Sequence, residues 1–113
     1  METTRIDYIE FKSTDLEMTK AFYSQTFGWT FTDYGPTYTA FSESGINGGF
    51  ELTTEPITNG VLIVLYHKDL VAIKDKVIAA GGSVTKEIFE FPGGKRFHFT
   101  DSSGNELAIW SEK

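Results

Sequence analysis

The chain contains no cysteine. That absence excludes a disulfide framework, thiolate nucleophiles and thiolate metal ligands, and it fits a reducing compartment. No apolar run approaches the length of a membrane span, and the opening stretch METTRIDYIEF has no apolar core of a signal peptide, so a cytoplasmic protein without a membrane partner is the expectation. Basic excess is missing too. The net charge of −6 comes without any acidic block, which favours solubility, argues against nucleic acid as a partner, and says little about any particular ligand. Histidine is scarce, with only His67 and His98, so imidazole chemistry has two candidates at most. Low-complexity segments are absent.

What the chain does have is aromatic material. Ten Phe, five Tyr and two Trp in 113 residues are enough for a substantial core in one domain, and 113 residues are too few for two independent cores. The clearest pattern lies near the C-terminus. Phe97 and Phe99 alternate with Arg96, His98 and Thr100; Leu107 and Ile109 alternate with Glu106, Ala108 and Trp110. Two half-buried strands joined by the turn Asp101–Asn105 are predicted, with Gly104 free to take positive φ. The four apolar residues then share one face. Arg96, His98, Glu106, Ala108 and Trp110 share the other.

Read in order, Arg5 to Phe11 opens with strand-like alternation, in which Ile9 and Phe11 are opposed to Tyr8 and Glu10. Ser13-Thr14-Asp15 offers helix N-caps, and Gly28 a stop. Three short strands follow, over 29–34, 37–42 and 49–53; a linker over 55–60 leads to an apolar strand over 61–66. The pattern then repeats. Lys68-Asp69-Leu70 lies 54 positions after Thr14-Asp15-Leu16, Gly81-Gly82 closes a second helix, and strands over 83–91, 96–100 and 106–110 complete the unit. One domain, 1–113, is therefore predicted to hold two βαβββ modules, about 4–54 and about 60–111, each leaving one sheet face uncovered.

D-L-x-x-x-x-x-F-Y-x-x-x-F-G-W at 15–29 and F-x-D-x-x-G-N-x-L at 99–107 resemble the vicinal oxygen chelate superfamily, which includes glyoxalase I, extradiol dioxygenases, fosfomycin-modifying enzymes and bleomycin-resistance proteins. The resemblance covers nearly the whole chain. It implies an α+β fold of two modules whose mixed sheets curl around a cavity, helices outside, and it implies a homodimer. Ile9, Phe11, Phe97, Phe99, Leu107 and Ile109 would face the helices; Tyr8, Glu10, Arg96, His98, Ala108 and Trp110 would face the cavity.

In the metal enzymes of that superfamily, His, Glu or Gln side chains from equivalent strands hold a divalent ion. The positions this resemblance assigns to ligands fall here on Tyr8, Leu62, Ala108 and Glu51. Leu and Ala cannot donate to a cation, and one carboxylate with a neutral phenol falls short of the three protein ligands such sites use. The expected protein is therefore a metal-independent binder of a small organic molecule, without a cofactor. The alternative is a lyase, isomerase or dioxygenase with a non-standard metal site, or with His98 as general base oriented by Glu10. Arg96 would hold an anionic group in that case, or else pair with Glu10 at a rim. Tyr8, Tyr38, Tyr66 and Trp110 are candidates for lining a pocket for a flat ligand, whereas Phe22, Phe27, Phe31, Phe41, Phe50 and Phe89 read as core. Trp29 and Trp110 are also candidates for a subunit interface. His67 reads as solvated, and Glu51 and Glu106 as acidic residues facing water.

Overall fold

The computed structural model describes residues 3–113. Chain order runs β1 (Ile9–Ser13), α1 (Leu16–Phe27), β2 (Thr30–Asp33), β3 (Tyr38–Ser42), β4 (Gly48–Leu52), β5 (Ile63–Tyr66), α2 (Leu70–Ala79), β6 (Ser83–Phe91), β7 (Gly94–Thr100) and β8 (Glu106–Ser111). The strands form two four-stranded mixed sheets of the same design, ordered β1-β4-β3-β2 and β5-β8-β7-β6. In each, the first strand of the module runs parallel to the last, and the remaining pairs are antiparallel. This is the predicted duplication. The two sheets do not close on one another, so no sealed barrel encloses a single cavity. None of the described helices is long and apolar enough to cross a membrane.

Local chemistry explains the helix boundaries. The Asp15 carboxylate accepts from Met18 N (3.0 Å), and Asp69 does the same from Ala72 N (3.1 Å), each satisfying a first-turn donor that has no intrahelical partner. Gly28 takes φ +79 and returns its N–H to Ser24 O, which ends α1 in the left-handed conformation glycine reaches without strain.

The core draws on both modules. Phe22, Tyr23, Trp29, Phe41 and Phe50 pack from the first; Leu70, Ile73, Val77, Phe97, Phe99, Leu107 and Ile109 pack from the second. Trp29, a candidate for a subunit interface by composition, is stacked on Tyr23 with ring centroids 4.8 Å apart and is buried in the chain's own core. Phe97, Phe99, Leu107 and Ile109 are fully buried, as the alternation required.

A polar seam joins the modules. Asp101 Oδ1 accepts from the N–H groups of Ser103, Gly104 and Asn105 (2.9 Å each), and its Oδ2 accepts from Tyr23 Oη (2.8 Å) and Asn105 Nδ2 (3.0 Å). Asn105 Nδ2 also donates to Lys12 O, and Thr14 N donates to Ser103 Oγ. The five-residue turn thus fixes its own shape and grips the β1–α1 junction of the other module. Asn59 in the linker adds a clasp, donating to Gly104 O and accepting from Glu106 N (2.9 Å each).

Candidate functional site

The open face of the second sheet is built in two cross-strand rows. The register places Tyr66 beside Trp110, Trp110 beside Arg96, and Arg96 beside Phe89, so one row crosses all four strands. The next row runs Val64, Ala108, His98, Lys86. Within the first row Tyr66 meets Trp110 edge-on at 5.3 Å between ring centroids, and Phe91 lies 6.4 Å from Trp110. The Arg96 guanidinium sits over Phe89 (5.4 Å) and Phe91 (5.7 Å), a cation held against two ring faces. Lys86 Nζ lies 4.5 Å from the Phe89 centroid.

His98 belongs to the second row, its ring 5.9 Å from Phe89 and its side chain 12% exposed. Its Nδ1 faces Glu106 Oε2 at 3.3 Å, which favours the tautomer with the proton on Nδ1. Its Nε2 is buried with no hydrogen-bond partner, and so is Arg96 Nε. Two unpaired nitrogens on alternate residues of one strand are unusual, because buried polar groups nearly always find partners. Between them and the parallel strand the floor is Ala108, which is fully buried.

The open face of the first sheet is different. Tyr8 and Tyr38 share a hydrogen bond between their hydroxyls (2.6 Å). Burial, reinforced by that bond and by Glu10, pushes the Tyr38 phenol well above its ordinary value, so it remains a proton donor at neutral pH. The pair lies over Gly49, where any Cβ would collide with both phenolic oxygens. Lys12 pairs with Glu51 and lies 4.0 Å from Glu10. A cleft of about 390 Å³ at the module junction, lined among others by Tyr8, Glu10, Asn59 and Glu106, lies between this face and the edge of the second sheet.

The sequence-derived set is therefore divided. Arg96, His98, Ala108 and Trp110 share the second sheet's open face. Glu10 and Glu51 lie on the first sheet, and Tyr8 immediately precedes β1. Leu62 falls just before β5 and is exposed. The carboxylate beside His98 is Glu106 and not Glu10, and Arg96 lies against phenyl rings instead of pairing with Glu10. Glu106, expected in water, contacts an imidazole. His67 Nδ1 accepts from Asp69 N (3.0 Å), and the residue is half-buried. Phe89, expected in the core, stands on the open face with Phe91 and Lys86, none of which the alternation identified. β6 carries register shifts between Val84 and Lys86 and between Lys86 and Phe89, so counting by twos along it fails.

Residues 5–109 match the Glyoxalase/Bleomycin resistance protein/Dioxygenase superfamily. The chain belongs to that superfamily. CFP32 of Mycobacterium tuberculosis (strain CDC 1551 / Oshkosh), provisionally described as a glyoxylase, is 27% identical over 92% of this chain, which spans 44% of that protein's length. The fold is shared with a glyoxalase-related enzyme from Fulvimarina pelagi (TM-score 0.82, 20% identity, 96% of this chain and 88% of that one). It is also shared with TnmS3, an antibiotic binding protein from Streptomyces sp. CB03234 (TM-score 0.73, 19% identity, 98% of each chain).

The residues at the superfamily's ligand positions do not suit a divalent cation. Tyr8 is engaged with Tyr38, Glu51 with Lys12, and Leu62 and Ala108 have no donor atom. Among the described residues no three His, Cys, Asp or Glu side chains converge.

Proposed function

We propose that this member of the superfamily binds a small organic molecule on the open face of its second sheet, without a metal and without converting it. The observation that carries the reading is the pair of buried, unpartnered nitrogens, Arg96 Nε and His98 Nε2, among Phe89, Phe91 and Trp110. An apolar surface with a few convergent polar groups is what a ligand site requires, and an unmet donor or acceptor is stabilised when a ligand meets it. The mismatched donor set at the ligand positions supports metal independence. Likeness in fold to an antibiotic binding protein supports binding as a role for this architecture.

A second reading keeps the site and adds proton transfer. His98, oriented by Glu106, would present Nε2 as a general base to a bound substrate, in the manner of a lyase or isomerase. A homodimer would cover the exposed Leu62, Val64 and Tyr66 near the same face. Elemental analysis of protein purified without added metal is the direct test. Less than one tenth of an equivalent of Zn, Ni, Fe or Mn is expected, and a stoichiometric ion would overturn metal independence. Native mass spectrometry of the same sample reads the dimer and any retained ligand together.

A further inference from the structure

From the spacing and chemistry of Arg96 and His98 we infer that the ligand is a planar aromatic anion carrying a hydroxyl at the far end of its ring from the charge, of the 4-hydroxybenzoate kind. This rests on the second sheet's open face being the binding site, and it adds the ligand's class.

Charge comes first. The protein is acidic overall, yet this face presents Arg96 and Lys86 together over the Phe89 ring, with its carboxylates, Glu106 and Glu112, occupied by His98 and the Tyr66 hydroxyl. Neither Arg96 nor Lys86 has a carboxylate partner among the described residues, and both lie over the Phe89 ring. A guanidinium without a carboxylate, held in place by ring faces, is suited to a carboxylate or similar planar anion, which its forked donors match in shape.

Ring recognition comes from the same row. Tyr66, Trp110, Phe91 and Phe89 supply aromatic surface on both sides of Arg96. A flat π system fits such a row better than an alkyl chain, because offset and edge contacts between rings add to the burial of area.

The hydroxyl follows from the histidine. With the Nδ1 proton directed at Glu106, a neutral His98 has a bare lone pair on Nε2, an acceptor that lacks a donor. Arg96 and His98 are two residues apart on one strand and point to the same side, so their attachment points are about 7 Å apart at the rise of a strand. A para-substituted ring spans that gap. An ortho hydroxyl would fold back on its own carboxylate and leave Nε2 unmet. Both nitrogens are covered in the unliganded chain, and Phe89, the ring nearest both, lies on the irregular part of β6. Ligand entry therefore requires Phe89 to swing aside.

The test is a fluorescence titration in chelator. Trp29 is buried in the core, so quenching by ligand reports on Trp110. We expect saturable quenching with 4-hydroxybenzoate, at least fivefold weaker binding of benzoate and 2-hydroxybenzoate, and none by cyclohexanecarboxylate. Arg96→Met should weaken 4-hydroxybenzoate tenfold or more. His98→Phe should bring 4-hydroxybenzoate to the level of benzoate, a selectivity change that a purely structural role for His98 would not produce. The comparison of ligands on the unaltered protein stands even if a variant fails to fold. Equal affinity for the 2- and 4-hydroxy isomers, or no saturable binding at millimolar concentration with or without added Zn or Mn, would overturn the ligand class. Binding that appears only with added metal would overturn metal independence and leave the class standing.

Discussion

The two sheets are copies in topology, and in register over the strands β1, β4, β3 and β5, β8, β7, which allows their open faces to be compared position by position. Lys12, Glu51 and Tyr38 in the first sheet correspond to Tyr66, Trp110 and Arg96 in the second; Glu10, Gly49 and Ala40 correspond to Val64, Ala108 and His98. On the first sheet the polar groups answer one another, as lysine with carboxylate and phenol with phenol. On the second, ion pairs give way to rings, and two nitrogens are left unanswered. A duplicated scaffold can thus keep one face self-contained while the other is shaped for a molecule from outside. The backbone distinguishes them only at the outer strand, where β6 is irregular and β2 is not.

The turn that ties the second sheet to the first module gives the largest expected effect. Asp101→Ala would leave the buried Tyr23 hydroxyl and the backbone N–H groups of Ser103 and Asn105 without their acceptor, while Asn105 Nδ2 keeps Lys12 O and Gly104 N keeps the Asp101 carbonyl. A loss of about 3 kcal/mol is expected by chemical denaturation, since unmet buried donors cost far more than a typical hydrogen bond contributes. The matching turn of the first module is equally long, five residues, but has no such hub among the described residues, so Glu43→Ala should cost almost nothing. A small effect at Asp101 would make the two turns equivalent after all.

Next comes the pair of equivalent positions Trp110 and Glu51. Trp110→Ala removes a ring that packs on Tyr66 and Phe91, and about 2 kcal/mol of stability should go with it, less than for a fully buried aromatic. Glu51→Ala breaks only an exposed ion pair with Lys12, and its denaturation midpoint should not move measurably. Similar losses at both would mean that the first face is packed as tightly as the second.

Much of the fold was legible because the motifs that stand out in the sequence are those that build it. Asp15 caps α1, Phe22 and Tyr23 are buried, Gly28 ends the helix, and Trp29 stacks back on Tyr23. Phe99 and Leu107 are cross-strand neighbours, with Asp101, Gly104 and Asn105 forming the turn between them. Those residues identify the superfamily and say nothing about the ligand. The site was half legible. Alternation worked on β7 and β8, which are regular, and failed on β6, where two irregularities change which side chains face out. Pairing His98 with Glu10 failed for another reason: a shared face does not make two residues neighbours when they belong to different sheets. The hairpin itself contained the better answer. With Thr100 opposite Glu106, His98 lies diagonal to Glu106 and within reach of its carboxylate.

Alkaline pH should sharpen the contrast between phenols. Burial, with the Asp101 charge and hydrogen bond, holds Tyr23 well above its ordinary value; burial and the Tyr8 bond do the same to Tyr38. For a group whose folded value is raised, the contribution is intact below the unfolded value near 10 and is lost as pH climbs through the folded one. Stability should therefore hold to about pH 10 and fall above it, by no more than about 1.4 kcal/mol per pH unit for the buried Tyr23 and by less for the more exposed Tyr38. Tyr38→Phe should lessen the slope between pH 10 and 11. An unchanged slope in that variant would show that Tyr38 titrates like a free phenol, and that the first face is less closed than its hydrogen bond implies.

The smallest expected effect is a gain. Glu43 holds φ +66, the only positive value at a non-glycine among the described residues, in the turn between β3 and β4. A side chain there is strained, and the exposed Glu43 has no hydrogen bond among the described residues to offset the strain, whereas the other positive-φ residues of the two turns, Gly45 (φ +90) and Gly104 (φ +108), are glycines. Glu43→Gly should raise stability by about 0.5 kcal/mol, because relief of strain is partly cancelled by the greater freedom of glycine in the unfolded chain. Thermal denaturation of the pair Glu43→Gly and Glu43→Ala separates the causes. If strain dominates, only glycine stabilises. If removing one negative charge from an acidic protein is what matters, both substitutions will raise the midpoint equally, and the two turns will differ in hydrogen bonding but not in strain.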